Sequence, residues 1–183
     1  MPTRTGASEM GARCCDDRLQ PDSSEFQTRL RALRQIDLEL AYLVLLTREG
    51  LKPLSRWEKP LDNGVLGLLE QMGLLTKQVR RTVKTGQEVI ETIFSRTPAC
   101  IRLYEQSFAD TPIDKSAATQ RIEGFLFGYP PCCIEQYIRK PYAANDLADH
   151  DREVLFHWAC PACKITPVLL VAYKSVYDLL NRC

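Results

Sequence analysis

The chain has no long hydrophobic run. Its longest apolar stretches, Leu40 to Leu46 and Pro167 to Tyr173, fall far short of the roughly 20 residues that cross a bilayer as a helix, so it does not read as a membrane protein. It also lacks a dominant charge: 24 Lys and Arg stand against 23 Asp and Glu, a net charge of +1, so no overall field marks out nucleic acid or an acidic substrate as its partner. Between Met1 and Gln20 there is no apolar segment, only Arg4, Arg13, Asp16 and Asp17 among small polar residues. That excludes a signal-peptide pattern and sets a cytoplasmic location as the expectation. No internal repeat or low-complexity tract appears. What remains is 183 residues with 45% hydrophobic content, enough for one full core or two small lobes that share one.

Cysteine, by contrast, is plentiful, with eight residues in the chain. In a cytosolic protein thiols are normally kept reduced, so clustered cysteines point to metal binding or catalysis before structural disulfides. Two pairs lie close together near the C-terminus. Cys132-Cys133 follows Tyr129-Pro130-Pro131, and Cys160-x-x-Cys163 sits within His157-Trp158-Ala159-Cys160-Pro161-Ala162-Cys163-Lys164. Each pair adjoins a proline and opens a segment with helical character, where free backbone N–H groups and the helix dipole favour thiolate.

The expected fold class is α+β and mostly α-helical, with one β-hairpin and a helical, cysteine-rich C-terminal lobe. Residues 1–24 read as a mobile arm, 25–115 as a helical and hairpin N-terminal lobe, and 116–183 as the cysteine-rich lobe, the last two forming one globular unit. Apolar residues from Leu30 to Val44 recur at three and four, predicting one long helix from Phe26 to Glu49 stopped by Gly50. A loop carries Pro53, Trp57 and Pro60, and a short helix capped by Asp62 or Asn63 reaches Met72. Alternation over Val79, Arg81 and Val83, turn residues at 84–87 and a second apolar run at 89–94 predict the hairpin. A helix before a hairpin resembles part of a winged-helix module. In that reading the basic residues Lys77, Arg80, Arg81 and Lys84 contact phosphate; in the plainer one they form a solvated strand face. Further helices are expected from Thr97-Pro98, from Ser116 to Phe127, and from about Cys160 to Leu180, the last kinked by Pro167 or briefly broken after its first turn.

His157, Cys160 and Cys163 place three metal-competent groups within seven residues, and Cys132 or Cys133 brings the set to four. Neighbouring side chains on a helix point about 100° apart, so one of Cys132 and Cys133 is expected to bind directly and the other to sit behind it. A mixed Cys/His set suits zinc, and four thiolates suit zinc or an iron–sulfur cluster equally. Asp146, Asp149, His150 and Asp151 also gather ligand types, but without an apolar frame they read as a solvated loop. Cys100 reads as a small core residue, Cys14-Cys15 as an exposed pair, and Cys183 has no assigned role.

The segment around Trp158 and Cys160 also looks like the active-site strand and helix of thioredoxin. That resemblance makes Cys160 the attacking thiolate and Cys163 the resolving thiol, although the chain after Cys163 is too short for the rest of that fold. His157 beside Cys160 raises a minor reading as a cysteine hydrolase.

Phe127-Gly128-Tyr129-Pro130-Pro131-Cys132-Cys133, followed by His157-x-x-Cys160-Pro161-x-Cys163 and a closing helix, resembles an uncharacterised prokaryotic domain family of archaeal type. Its mark is a Gly-aromatic-Pro-x-Cys-Cys motif upstream of a His/Cys element. The resemblance covers about Ser116 to Asp178 and implies that these cysteines act as one unit; it brings no substrate. Three functions follow from the sequence. The first is a metal-binding protein with a structural or sensory zinc or iron–sulfur centre held by the four cysteines Cys132, Cys133, Cys160 and Cys163, with His157 as a substitute ligand or as a donor behind the ligands. The second is a thiol–disulfide or electron-transfer oxidoreductase using Cys160 and Cys163, and the third is a metal-responsive nucleic-acid-binding regulator. Whether the chain is an enzyme is left open among them.

Overall fold

The computed structural model describes residues 23–182. Cys14, Cys15, Cys183 and nearly all of the expected N-terminal arm lie outside the described residues.

The first helical stretch is two helices, α1 (Ser24–Ile36) and α2 (Leu38–Arg48), where the apolar period predicts one. The reason is Asp37. Its backbone is extended, with φ −162° and ψ 128°, it ends α1, and its carboxylate accepts the N–H groups of Glu39 and Leu40 to cap α2. An aspartate bonded to the backbone two and three residues on competes with continued helix. Gly50, at φ 77°, then ends α2 in the left-handed region.

A short strand, β1 (Ser55–Trp57), occupies what the sequence presents as a loop. It precedes α3 (Asn63–Gln71), capped by Asp62 as expected, and the hairpin of β2 (Leu75–Thr82) and β3 (Glu88–Ser95). The three strands form an antiparallel sheet in the order β1-β3-β2, with Ser55 opposite Phe94 and Val79 opposite Glu91. Between β1 and the hairpin stands the single helix α3, so the two-helix reading unit of a helix–turn–helix is not completed there.

The second half is helical: α4 (Pro98–Phe108), α5 (Ala117–Leu126), α6 (Pro131–Arg139), the single turn α7 (Asp149–Arg152) and α8 (Thr166–Arg182). With eight helices and one small sheet among the described residues, the fold is α+β and mostly helical. No described helix is long and apolar enough to cross a membrane.

Successive residues of β3 face opposite ways and so feed two cores. Phe94 joins α1, α2, α3 and α8 through Leu33, Leu45, Leu69 and Tyr173, while Ile93 joins Leu54, Tyr104, Phe108 and Leu126 on the other side. Tyr42 of α2 ties the C-terminal segment to the first core: its hydroxyl lies 2.9 Å from the Val154 carbonyl and 3.2 Å from that of Tyr173.

Two close approaches position α6. A Cβ on Gly124 of α5 would lie 2.5 Å from Ile134 Cδ1 of α6, so only glycine lets the helices come this near. Gly128, at φ 74°, turns the chain between them and packs so tightly that a Cβ would lie 2.9 Å from the Leu51 carbonyl oxygen.

A candidate metal centre built from four cysteines

The site is made where α6 begins and where the chain turns into α8. Pro131 is the first residue of α6, so Cys132 and Cys133 occupy its first turn. The second pair lies on a tight turn, with Cys163 N–H donating to the Cys160 carbonyl at 3.2 Å, Pro161 at the second position and Ala162 at φ 53°. A proline followed by a left-handed residue is what a turn of this kind requires.

These two loops bring four sulfurs together. Cys163 Sγ is 3.7 Å from Cys132 Sγ and 3.5 Å from Cys133 Sγ, and the Sγ atoms of Cys132, Cys133, Cys160 and Cys163 all lie within 4.8 Å of one another. All four are free thiols. Both members of the vicinal pair take part, where their angular spacing predicts one. Side chains at a helix N-terminus lean beyond the first turn, so residues 132 and 133 converge past the helix end although they diverge around its axis.

Hydrogen bonds frame the sulfurs. Cys133 Sγ accepts the Cys160 N–H at 3.3 Å, and Cys163 Sγ accepts the Thr166 N–H at 3.3 Å with the Thr166 hydroxyl also 3.3 Å away. Cys163 thereby caps the N-terminus of α8. Pro167 falls in the first turn of that helix, where its missing N–H costs nothing, so α8 starts at Thr166 and the Cys160 turn is separate from it, in place of one helix from about Cys160.

The electrostatics follow from this frame. Burial alone would raise the Cys163 thiol, but the hydroxyl and N–H of Thr166 and the N–H of Ile165 outweigh it and bring the pKa down to about 6. Burial raises Cys133 to about 11, against the pull of the Cys160 N–H and the Thr166 hydroxyl. Burial and the neighbouring thiols of Cys132, Cys133 and Cys163 raise Cys160 still further. Thiols this close cannot all ionise unless a cation offsets their charge; a bound dication would reverse that penalty and hold all four as thiolates.

His157 stands outside the sulfur cluster, in the outer position that is one of its two expected roles, and not among the sulfurs as a substitute ligand. Its Nε2 is 2.9 Å from Thr166 Oγ1, which in turn touches the sulfurs, and its Nδ1 is buried without a partner. Burial, with Lys52 nearby, lowers the imidazole to about 4 and keeps it neutral. No strand leads into Cys160 among the described residues, so the strand and helix of a thioredoxin site are not formed. The acidic segment is a surface turn: Arg152 pairs with Asp149, and Lys174 and His150 with Asp151. Among the described residues the four cysteines are the only such grouping of ligand types.

The basic hairpin residues are not one surface. Arg81 is 1% exposed and bonds Glu123 at 3.1 Å, while Lys77 pairs with Glu105 and Arg80 with Glu88 outside, and Lys84 is exposed in the turn. Arg81 therefore offers nothing to phosphate. Cys100 packs against the second core, as a small apolar residue would.

No family model, curated protein or solved structure matches the chain. The site must be judged on its own geometry.

Around Arg81 the structure holds a charged network that sequence reasoning missed. Arg56 Nη1 bonds Glu123 at 2.7 Å, Arg56 and Arg81 both approach Glu91, and the Tyr104 hydroxyl donates to Glu91. The signal for one member was present: strand alternation puts Arg81 on the face of buried Val79. The other members come from four further elements, with no local spacing to link them.

Proposed function

We propose that the chain is a metal-binding protein in which Cys132, Cys133, Cys160 and Cys163 hold one zinc ion, and that the centre is chiefly structural. The observation that carries this reading is the mutual distance of the sulfurs, all within 4.8 Å, with Cys163 Sγ at 3.5 Å from Cys133 Sγ and 3.7 Å from Cys132 Sγ. A tetrahedral ion with Zn–S bonds of about 2.3 Å separates its sulfurs by about 3.8 Å. An iron–sulfur cubane binds each thiolate to a different iron and spreads the sulfurs further, so a single ion fits better. The ion would supply charge compensation and a cross-link between the first turn of α6 and the turn before α8. The N–H groups of Cys160 and Thr166 and the Thr166 hydroxyl would stabilise the bound sulfurs from outside.

The oxidoreductase reading is less well supported. It asks for Cys160 as a ready thiolate, whereas burial and neighbouring thiols raise Cys160 and Cys163 is the favoured thiolate. The regulator reading loses Arg81 from its phosphate contacts. Membership of the prokaryotic family with the Gly-aromatic-Pro-x-Cys-Cys mark, and a reducing cytoplasmic location, complete the proposal.

Elemental analysis and an absorption spectrum of anaerobically purified protein test it. One zinc per chain without visible colour is the expected result. Iron with acid-labile sulfide would replace zinc by a cluster, and metal-free protein with reversibly oxidised thiols would favour the oxidoreductase.

A further inference from the structure

Away from the cysteines, the structure buries a cation that has no carboxylate beside it. Lys52, just beyond α2, is 2% exposed. Its Nζ donates to the Phe127 carbonyl at 3.1 Å and lies 4.8, 5.1 and 5.4 Å from the ring centres of Tyr129, Phe156 and Phe127. No acidic side chain among the described residues pairs with it, in contrast to Arg56 and Arg81, which share Glu91 and Glu123. An ammonium has three donors, and here one carbonyl accepts. Ring faces compensate part of the lost hydration, but a buried charge without a counter-ion remains costly.

Lys52 also lines a cleft of about 320 Å³ that runs past Trp57, Tyr129 and Phe156. A second space of about 450 Å³ shares Arg56, Phe127, Tyr129 and Phe156 with the first and continues to His157, Trp158 and Cys133. Such volumes and aromatic walls are those of small-molecule sites. At the far rim Tyr142 stands 67% exposed with φ 56°, its ring edge-on to Tyr137 at 5.2 Å and Trp158 at 5.4 Å. A tyrosine in left-handed backbone is strained, and strain of this kind gathers at ligand sites.

We infer that this cleft binds a planar aromatic carboxylate, with the carboxylate on Lys52 Nζ and the ring between the aromatic walls. The cleft also carries the exposed Glu39, Glu58 and Lys59, but Lys52 is its buried cation without a carboxylate partner, Arg56 being engaged by Glu58, Glu91 and Glu123, so one negative charge is indicated. A phosphate monoester, with close to two charges, would be opposed by Glu39 and Glu58, which line the same cleft. The inference is independent of the metal at the cysteines, although the second space ends at Cys133 and so brings the ligand site up against that centre.

The test uses the full-length protein with its purified metal content, titrated with benzoate and with benzamide and followed by protein NMR or calorimetry. Benzoate should saturate, and benzamide, the same shape without the charge, should bind at least about tenfold more weakly, a difference of about 1.4 kcal/mol. Lys52→Met should abolish that preference while leaving the zinc content unchanged, and Lys52→Arg should retain part of it. Should Lys52→Met fail to fold, the comparison of the two probes on the parent protein still decides. Equal binding of the two probes, or no saturable binding of benzoate, would overturn the inference. Loss of zinc with intact benzoate selectivity would count only against the metal reading.

Discussion

Two polar clusters share this fold, one largely buried and one with only Cys133 fully buried, and they balance their charges differently. The one between the sheet and α4 and α5 closes on itself: Arg56 and Arg81 face Glu91 and Glu123, with Tyr104 bridging. Burial raises the Glu91 carboxyl, and the Tyr104 hydroxyl and both arginines pull it back. The cluster between α6 and α8 does not close. Four thiols meet there with hydrogen-bond donors around them but, among the described residues, with no cationic side chain paired to the sulfurs. The difference separates scaffold from site. A network that neutralises itself holds elements together, whereas a cluster of four thiols without a cation is compatible with a metal ion, which would hold them as thiolates.

The sharpest way to break the comparison is to remove one member from each cluster. Cys133→Ser should abolish stoichiometric zinc and destabilise the C-terminal lobe, since a structural zinc supplies on the order of 10 kcal/mol of binding free energy that is also folding free energy. Metal analysis alongside limited proteolysis of the region after Gly128 would show both effects together. Glu123→Ala should cost about 3–5 kcal/mol in denaturant unfolding, because Arg81 is left buried with only the longer contacts to Glu91 and the Pro112 carbonyl. It should leave the zinc content as it was. If Glu123→Ala lost zinc as well, the two clusters would not be separable.

Thr166→Val sharpens the account of the surroundings of the sulfurs. It removes the hydroxyl between Cys163 and His157 while keeping shape and the backbone N–H. Zinc affinity, measured by competition with a chelator, should fall about 10–100-fold. Lys52 supplies a pH test. Burial first, and then Arg56, lower its pKa from 10.5 to about 7. A lysine whose folded pKa is depressed penalises the fold fully below pH 7, and the penalty is relieved as the pH rises toward 10.5. Relative to Lys52→Met, the ligand-free parent should therefore gain stability between these limits, by about 1 kcal/mol per pH unit or less. A constant difference across that range would contradict the buried charge. The smallest effect belongs to the outer hairpin face: Arg80→Ala should change stability by no more than about 0.5 kcal/mol.

What could be read in advance was what is local in the chain. The cap at Asp62, the helix beginning near Ser116, the hairpin and the two cysteine pairs stand on neighbouring residues, and the structure places each where its spacing indicates. Asp37 was hidden because the apolar period runs through it, although a capping aspartate before a new apolar run is a legible signal in hindsight. β1 has three residues, too few for alternation to show. The role of His157 depends on where α8 begins, and that start is set by Cys163 as cap and Pro167 in the first turn. The arginine–glutamate network is spread over β1, β2, β3, α4 and α5, so only the tertiary fold reveals it.

Zinc-edge X-ray absorption on the purified protein tests the central claim most directly. The account predicts a single shell of four sulfurs at about 2.3 Å with no metal–metal scattering. A shell containing nitrogen or oxygen, fewer than four sulfurs, or an iron edge with a short iron–iron distance would contradict it.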